Sequence, residues 1–138
     1  MTQPPIVRVA RREGFNAAHQ LCNPALSPEE IRRLFGNCVN LHGHNYVLEV
    51  AVSGERDPRT GYVVDLKLLS DIMSERIIRH VDHCNLNTDV PWLVGYIPTA
   101  ENLAVAFWER LRPELPTGSL RVRVWETEKN WAEYSTER

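Results

Sequence analysis

Alternating apolar and polar positions predict two strands in the first 55 residues. Residues 6–19 alternate loosely, and His19 falls on the inner parity at the end of this run. A second strand is predicted from about residue 41 to 53, in which His42 and His44 share the parity of the apolar residues that follow. Because successive side chains of a strand point to opposite faces, these two imidazoles are expected on one face of the sheet.

Apolar residues at spacings of three and four predict two main helices. One covers about residues 65–81, and the other begins after Thr99, a suitable N-cap, and is ended by Pro113. A shorter helix is predicted after Ser27, which has the spacing of a capping box with Glu30.

The C-terminal part of the chain returns to a period of two. Residues 120–128 alternate strictly, residues 130–134 supply a short last strand, and residues 82–98 read as a long irregular link. The order strand, strand, helix, helix, strand, strand predicts an α+β fold with an antiparallel sheet and helices on one face. At 138 residues the chain fits a single domain over residues 1–138.

Composition and charge argue against several classes of function. The net charge of −2 gives no electrostatic case for binding nucleic acid or an anionic membrane. No apolar run approaches the roughly 20 residues of a transmembrane helix. The N-terminal residues lack the apolar core of a signal peptide, and the three cysteines contain no CxxC pair. We therefore expect a cytoplasmic protein with reduced thiols.

Three of the five histidines suggest a metal site. Antiparallel pairing of the first two strands could bring His19 beside His42 and His44. Three neutral imidazoles with an open fourth position are the arrangement of a catalytic zinc. The alternative is that these residues are ordinary surface or core histidines with satisfied hydrogen bonds. His80 fits neither idea and is expected at an exposed helix end.

Cys38 lies four residues before His42, and its spacing leaves three roles open. It could be a fourth ligand that closes the site and makes the metal structural. It could instead stand beside an open metal as an activated thiolate, since a nearby cation favours the thiolate form. The third possibility is a buried, inert cysteine, which is the role expected for Cys22 and Cys84.

Two further groups carry chemistry. Asp82 and His83 lie just past a predicted helix, either as a simple helix terminus or as an acid that orients a histidine. Glu126 extends the apolar parity of a strand, where an unpaired buried charge would be costly. A flat heterocycle with an amino group beside a ring N–H could satisfy this carboxylate. Otherwise the strand emerges into solvent at this point.

Six segments together resemble one family. They are FNAAH, the cysteine followed by HGHNY, DPRTGYVVDL, DHCNLN, PTAENLAVAFW and VWETEKN, in order across nearly the whole chain. The sequence resembles the 6-pyruvoyltetrahydropterin synthase family, which includes the bacterial 6-carboxytetrahydropterin synthase. The resemblance implies the tunnelling fold, a four-stranded antiparallel sheet with two helices on one face. It also implies a barrel-like homohexamer, built from two trimers around a central channel.

The same resemblance implies roles for nine residues. It implies a Zn²⁺ site whose ligands are His19, His42 and His44. It implies that Cys38 is the catalytic base and that Asp82 and His83, from a neighbouring subunit, are its partners. It implies that Glu126 anchors the pterin and that Thr99 and Glu101 assist it.

The implied substrate is 7,8-dihydroneopterin triphosphate. Zinc would bind the two side-chain hydroxyls as a Lewis acid and make the attached C–H more acidic. The thiolate of Cys38 would remove that proton, with His83 and Asp82 relaying it. Triphosphate then leaves, and an internal redox shift gives the pyruvoyl side chain without an external redox cofactor.

The branch of the family is less sharply defined. The spacing Cys38-x3-His42 is that of the 6-carboxy branch, which belongs to the queuosine pathway, and Ala100 replaces a threonine usual in the 6-pyruvoyl branch. Length and most other segments resemble the 6-pyruvoyl branch of tetrahydrobiopterin biosynthesis, which is our prediction. A non-enzyme alternative is a zinc-stabilised hexamer that binds pterin without turnover, in which Cys38 ligates the metal or is inert.

Overall fold

Two long antiparallel strands form the centre of the sheet in the computed structural model, which describes residues 2–137. β1 (Ile6–His19) pairs with β2 (His42–Glu55) along its whole length. In the half of β1 that approaches His19, and in β2 up to Val50, buried residues alternate with more exposed ones, as the sequence predicts. The two end residues of the predicted domain 1–138 lie outside the described part of the chain.

The sheet has five strands in the order β3-β1-β2-β4-β5. β4 (Ser119–Trp125) pairs antiparallel with β2, and β5 (Trp131–Tyr134) pairs antiparallel with β4. β3 (Cys84–Asn85) pairs in parallel with the end of β1. The α+β class is confirmed, but the expectation of a four-stranded, wholly antiparallel sheet is wrong by this one short strand.

β3 lies in a segment predicted to be irregular, because two residues are too few to show an alternating pattern. Backbone hydrogen bonds set its place instead: His83 N–H donates to Asn16 O at 2.6 Å, and Leu86 N–H donates to Ala18 O at 2.8 Å. β3 covers only the last part of the outer edge of β1. Within the described residues, positions 6–15 of that edge have no strand partner.

The short helix α1 (Pro28–Phe35) has the ends that its sequence predicts. Ser27 accepts a backbone hydrogen bond from the first turn at 3.2 Å. Gly36 follows with a φ of 57°, a conformation that glycine adopts without steric cost. A single 3₁₀ turn (Gly36–Val39) then carries Cys38 toward the start of β2.

The helix predicted over residues 65–81 contains a wider turn. α2 (Leu66–Met73) leads through a π turn (Ser74–Ile78) into one more α turn, α3 (Arg79–Val81). The fully buried side chains recur at a strict spacing of four: Leu69, Met73, Ile77 and Val81. In a regular α-helix each four-residue step rotates by about 40°, so three steps drift by about 120°. The π turn holds more residues per turn and reduces that drift, which keeps the row against the core.

The helix α4 (Ala100–Leu111) is the second main helix. Thr99 caps it by accepting the N–H of Asn102 at 3.1 Å, as predicted. The buried side chains of α2 and α4 join those of the sheet in one apolar cluster, so two main helices cover one face of the sheet. No helix among residues 2–137 is both long enough and apolar enough to cross a membrane.

The opposite face of the sheet carries charged and aromatic side chains. Arg12 pairs with Glu49 at 2.6 Å, and Arg123 pairs with Glu133 at 3.1 Å. The Arg123 guanidinium also lies 3.8 Å from the ring centroid of Trp131. These pairs balance charge across neighbouring strands, so this face is polar where the helix-covered face is apolar.

Candidate metal and pterin site

Three imidazoles converge at the end of the sheet where β1 stops and β2 starts. The strand register places His19 directly opposite His42, and His44 lies on the same face two residues further along β2. The ring centroids are 4.6 to 5.1 Å apart. One ligand nitrogen from each ring lies within 4.8 Å of the other two.

Backbone carbonyls orient two of the three rings. The Nδ1 atoms of His19 and His42 lie 2.7 Å from the carbonyl oxygens of Pro98 and Asn40, respectively. A carbonyl can only accept, so Nδ1 of each neutral ring carries the proton and Nε2 keeps its lone pair. Within residues 2–137, the Nε2 atoms of His19 and His44 are buried and have no hydrogen-bond partner.

Burial favours the neutral form of His19 and His44. The pKa of His19 is lowered from its ordinary value of 6.5, chiefly by burial, although the hydrogen bond to Pro98 acts in the opposite direction. The pKa of His44 is also lowered chiefly by burial, against the attraction of the Glu126 carboxylate. A neutral imidazole with a free lone pair is the form that binds a metal ion.

The histidine geometry fits a metal ion better than it fits satisfied core histidines. Buried nitrogens without a partner are costly, and a bound cation would satisfy them. Three nitrogen donors from one side leave room for a further ligand. Gly43 lies between His42 and His44 in the sequence. It lies on the opposite face, and an added Cβ there would meet the Ala17 carbonyl oxygen at 3.2 Å.

Tyr46 supports the cluster from the core side, a role that sequence reasoning missed. Its hydroxyl lies 3.2 Å from Nδ1 of His19, and its ring stacks on Phe15 at a centroid distance of 4.8 Å. Burial raises the pKa of the Tyr46 hydroxyl, so it stays protonated. Its parity with His42 and His44 was visible in the sequence, but its contact with His19 depends on the pairing of two strands.

Cys38 is exposed and is not part of the three-residue cluster. Its 3₁₀ turn is tied to the chain after His19, because Leu21 N–H donates to the Cys38 carbonyl at 2.7 Å. The thiol-bearing turn and the three histidines therefore belong to the same end of the sheet. Of the other cysteines, Cys22 is half-buried, and half-buried Cys84 has a pKa raised by burial, which suits an inert thiol.

Glu126 follows the last residue of β4 and faces the histidines. Its Oε1 lies 3.8 Å from Nε2 of His44, and the side chain is 27% exposed. It lines a cavity of about 370 Å³ together with Glu101 and Ala100. Thr99 lies one residue before this lining, where its hydroxyl is engaged as the cap of α4. The carboxylate thus adjoins both the histidine cluster and a cavity.

Asp82 and His83 form a separate corner beside β1. Asn16 N–H donates to Oδ1 of Asp82 at 2.9 Å, and Oδ2 lies 3.1 Å from Nδ1 of His83. The hydrogen bond from Asn16 is the main cause that lowers the pKa of Asp82. His83 has a φ of 61°, the left-handed region, which costs a residue with a Cβ about 1–2 kcal/mol. The helix does end at Val81, yet the acid also contacts and orients the histidine.

Within one chain this corner and the Cys38 turn are attached to different points of the backbone. His83 is bonded to the backbone of Asn16, whereas Cys38 is bonded to Leu21. The two attachment points are five residues apart in the sequence, and β1 ends between them, at His19. The His83 side chain is 78% exposed, so it points to solvent and not toward the helix-covered core.

Sequence comparison places the chain in a family. A family model described as 6-pyruvoyl tetrahydropterin synthase matches residues 8–137. The chain belongs to this family. Members named as synthases act as lyases, so this protein is an enzyme of the lyase class, which argues against the alternative of a pterin-binding hexamer without turnover.

Individual relatives agree with this assignment. The human 6-pyruvoyl tetrahydrobiopterin synthase is 45% identical, covering 94% of this chain and 92% of its own length. The Dictyostelium discoideum protein of the same name is 40% identical, covering 95% and 97%. The solved structure of the Caenorhabditis elegans 6-pyruvoyl tetrahydropterin synthase superposes with a TM-score of 0.90 at 38% identity, covering 99% and 100%.

A relative with a different named activity also matches. The dihydroneopterin monophosphate aldolase of Pyrococcus furiosus is 34% identical, covering 86% of this chain and 89% of its own length. The same scaffold therefore carries more than one named pterin activity.

Proposed function

We propose that the protein is a zinc-dependent 6-pyruvoyltetrahydropterin synthase that converts 7,8-dihydroneopterin triphosphate to 6-pyruvoyltetrahydropterin with elimination of triphosphate. The observation that carries this proposal is the three-histidine cluster adjoining a cavity lined by Glu126. The identity to synthases from humans and Dictyostelium discoideum supports the choice of reaction.

His19, His42 and His44 would hold the ion. Within residues 2–137, Nε2 of His19 and Nε2 of His44 have no hydrogen-bond partner. Nδ1 of His42 faces the Asn40 carbonyl, which leaves the lone pair of its Nε2 for the ion. When bound, zinc would supply Lewis acidity to the two hydroxyls of the substrate side chain. The carbonyls of Pro98 and Asn40 fix two of the rings, so these ligands need little rearrangement on binding.

Glu126 would anchor the pterin ring. Its carboxylate can accept two hydrogen bonds from an amino group and a neighbouring ring N–H. Because the same carboxylate lies beside His44, a ring bound there would direct its side chain toward the histidines. Glu101 lines the same cavity, and Thr99 would contribute through the start of α4.

Cys38 would act as the base that removes a proton from the substrate side chain. Its exposure and its position outside the histidine cluster support this role over that of a fourth ligand. Asp82 holds His83 through Nδ1, which leaves Nε2 of that exposed ring free to exchange a proton. Since the pair is attached to β1 at Asn16 and not to the Cys38 turn, it would serve the thiol of a neighbouring subunit.

The assembly proposed for this arrangement is a homohexamer, a dimer of trimers. The long unpaired edge of β1 supports it, because exposed strand edges pair readily with further strands. Mixed assemblies test it directly. Combining subunits that carry Cys38→Ala with subunits that carry His83→Asn should restore part of the activity, whereas mixing Cys38→Ala with Cys38→Ser should not. No restoration in verified mixed hexamers would contradict sharing of the site between subunits.

Product analysis tests the reaction itself. Incubation with dihydroneopterin triphosphate, followed by mass spectrometry, should give triphosphate and a pyruvoyl side chain. A carboxylate with loss of acetaldehyde would instead identify 6-carboxytetrahydropterin synthase, the second candidate, which the Cys38-x3-His42 spacing favours. Simple aldol cleavage would match the activity named for the Pyrococcus furiosus relative.

A cysteine variant tests the role of the thiol. Cys38→Ala should reduce turnover by about 10²–10⁴-fold, the usual contribution of a general base, with zinc content unchanged. Cys22→Ala is the matched control and should keep its activity. Loss of zinc from Cys38→Ala would show that the thiol is a ligand and the proposed mechanism is wrong.

A further inference from the structure

Asn87 makes two hydrogen bonds to the backbone of a single residue, Gln20. Gln20 N–H donates to Oδ1 of Asn87 at 2.8 Å, and Nδ2 of Asn87 donates to the Gln20 carbonyl at 2.9 Å. Both bonds are partly buried. A side-chain amide that meets both backbone groups of one residue replaces the strand partner that β3 would provide if it were longer. Asn87 thus continues the pairing of β1 after β3 has ended.

The clamped residue lies between two parts of the site. Gln20 directly follows His19, and the next residue, Leu21, donates its N–H to the Cys38 carbonyl at 2.7 Å. Three consecutive residues therefore carry a metal ligand, the Asn87 clamp and the tie to the Cys38 turn. Removing the clamp would leave two partly buried backbone groups without partners, and the chain there would move to find others.

Asn87 is itself held in place by its own loop. Its N–H donates to Oδ1 of Asn85 at 2.9 Å, and the N–H of Asn85 donates to Oδ2 of Asp89 at 2.8 Å. The preceding residue, Leu86, is buried in the core and anchors the loop. The amide therefore meets Gln20 from a fixed position.

We propose that Asn87 is a positioning residue, which holds His19 and the Cys38 turn in register through the backbone of Gln20. It acts through other residues and contacts neither the proposed metal nor the reacting part of the substrate. The inference rests on the proposed function where it concerns Cys38. Where it concerns the histidine cluster, it can be tested without turnover.

Two substitutions of Asn87 test the clamp. Asn87→Leu keeps a similar volume without hydrogen bonds, and Asn87→Ala removes the group. Both should weaken zinc binding by about tenfold or more, measured by competition with a chelator, as expected when a ligand loses its supporting contact. In the metal-free protein, the amides of Gln20 and Leu21 should exchange hydrogen faster. Thr88→Ala is the matched control. It removes a hydroxyl of the same loop that donates to Asp89 and leaves both bonds between Asn87 and Gln20 in place, so this variant should change neither readout.

Steady-state kinetics separate positioning from general loosening. With zinc saturating, the Asn87 variants should lose kcat while KM stays within about twofold, because the Glu126 cavity is untouched. Unchanged zinc affinity and amide protection in either folded variant would overturn the proposal, and so would an equal loss in Thr88→Ala. If Asn87→Ala does not fold, Asn87→Leu decides. If the unmodified protein shows no turnover, the proposed function fails, while the zinc and exchange measurements still judge Asn87.

Discussion

Two histidines, one at the end of β1 and one beside that strand, are oriented in the same way and placed in opposite surroundings. His19 and His83 each hold a hydrogen-bond acceptor at Nδ1, a carbonyl in the first case and the Asp82 carboxylate in the second. His19 is only 1% exposed, whereas the His83 side chain is 78% exposed. The backbone of His83 is also in the left-handed region.

The contrast shows how burial and partner select between two uses of one side chain. Burial disfavours the charged imidazole and outweighs the carbonyl at His19, which leaves a neutral ring suited to a metal ion. At the exposed position the Asp82 carboxylate orients the His83 ring through Nδ1 and leaves the rest of the ring open to solvent. The strained backbone of His83 is of the kind that persists when a site requires a particular direction of a side chain.

Removing one histidine of the buried cluster tests whether that cluster is the metal site. His44→Ala should abolish stoichiometric zinc binding and turnover, because two imidazoles without a third hold zinc poorly. Metal content after gel filtration, measured by mass spectrometry, is the readout. His80→Ala removes a histidine outside the cluster and should keep both properties. Full zinc content in His44→Ala would mean that the cluster is not the metal site.

A variant of the exposed Asp82–His83 corner should lose turnover but keep its zinc. His83→Asn should lower turnover by about 100-fold through loss of the proton-exchanging ring, while zinc content stays the same. Its free energy of unfolding should not fall, because asparagine tolerates the left-handed backbone better than histidine does. Urea denaturation and zinc analysis of the same preparation check both points. If His83→Asn loses zinc or stability but keeps its rate, the assignment of His83 to the reaction is wrong.

A smaller effect is expected from pH on the metal-free protein. The folded pKa of His19 lies below its ordinary value of 6.5, so the unfolded chain takes up a proton first as the pH falls. Stability should therefore be fully present above pH 6.5 and decline below it. Urea midpoints at several pH values measure the slope. His19→Gln should make the slope shallower, with His44 keeping a part of it, and an unchanged slope in that variant would contradict the burial argument.

Local patterns predicted most of the site. Parity placed His42 and His44 on one face, and the end of the first strand placed His19 beside them. Helix capping by Ser27 and Thr99 was readable because caps involve residues three apart in sequence. These features depend on neighbours along the chain or on one pairing of long strands, so the sequence contains enough information to predict them.

The parts that could not be predicted depend on contacts between distant segments. Pro98 supplies its carbonyl to His19 across 79 positions, and any residue type has that group. Asn87 reaches Gln20 across 67 positions. β3 is too short for a pattern. Histidine adopts the left-handed conformation more often than most residue types but still uncommonly, so the conformation of His83 could not be predicted from its residue type. Resemblance to a family named the chemical residues, but not the backbone groups that hold them.

The π turn between α2 and α3 determines how the length of this helix can vary. A π turn is equivalent to one extra residue accommodated within an α-helix. Removing one exposed residue there, such as Glu75, would change the buried spacing from four-four-four to four-three-four, the ordinary repeat of an α-helix against a core. The residues after Val81 would keep their place, so a chain shortened by one residue here would need no compensating change elsewhere.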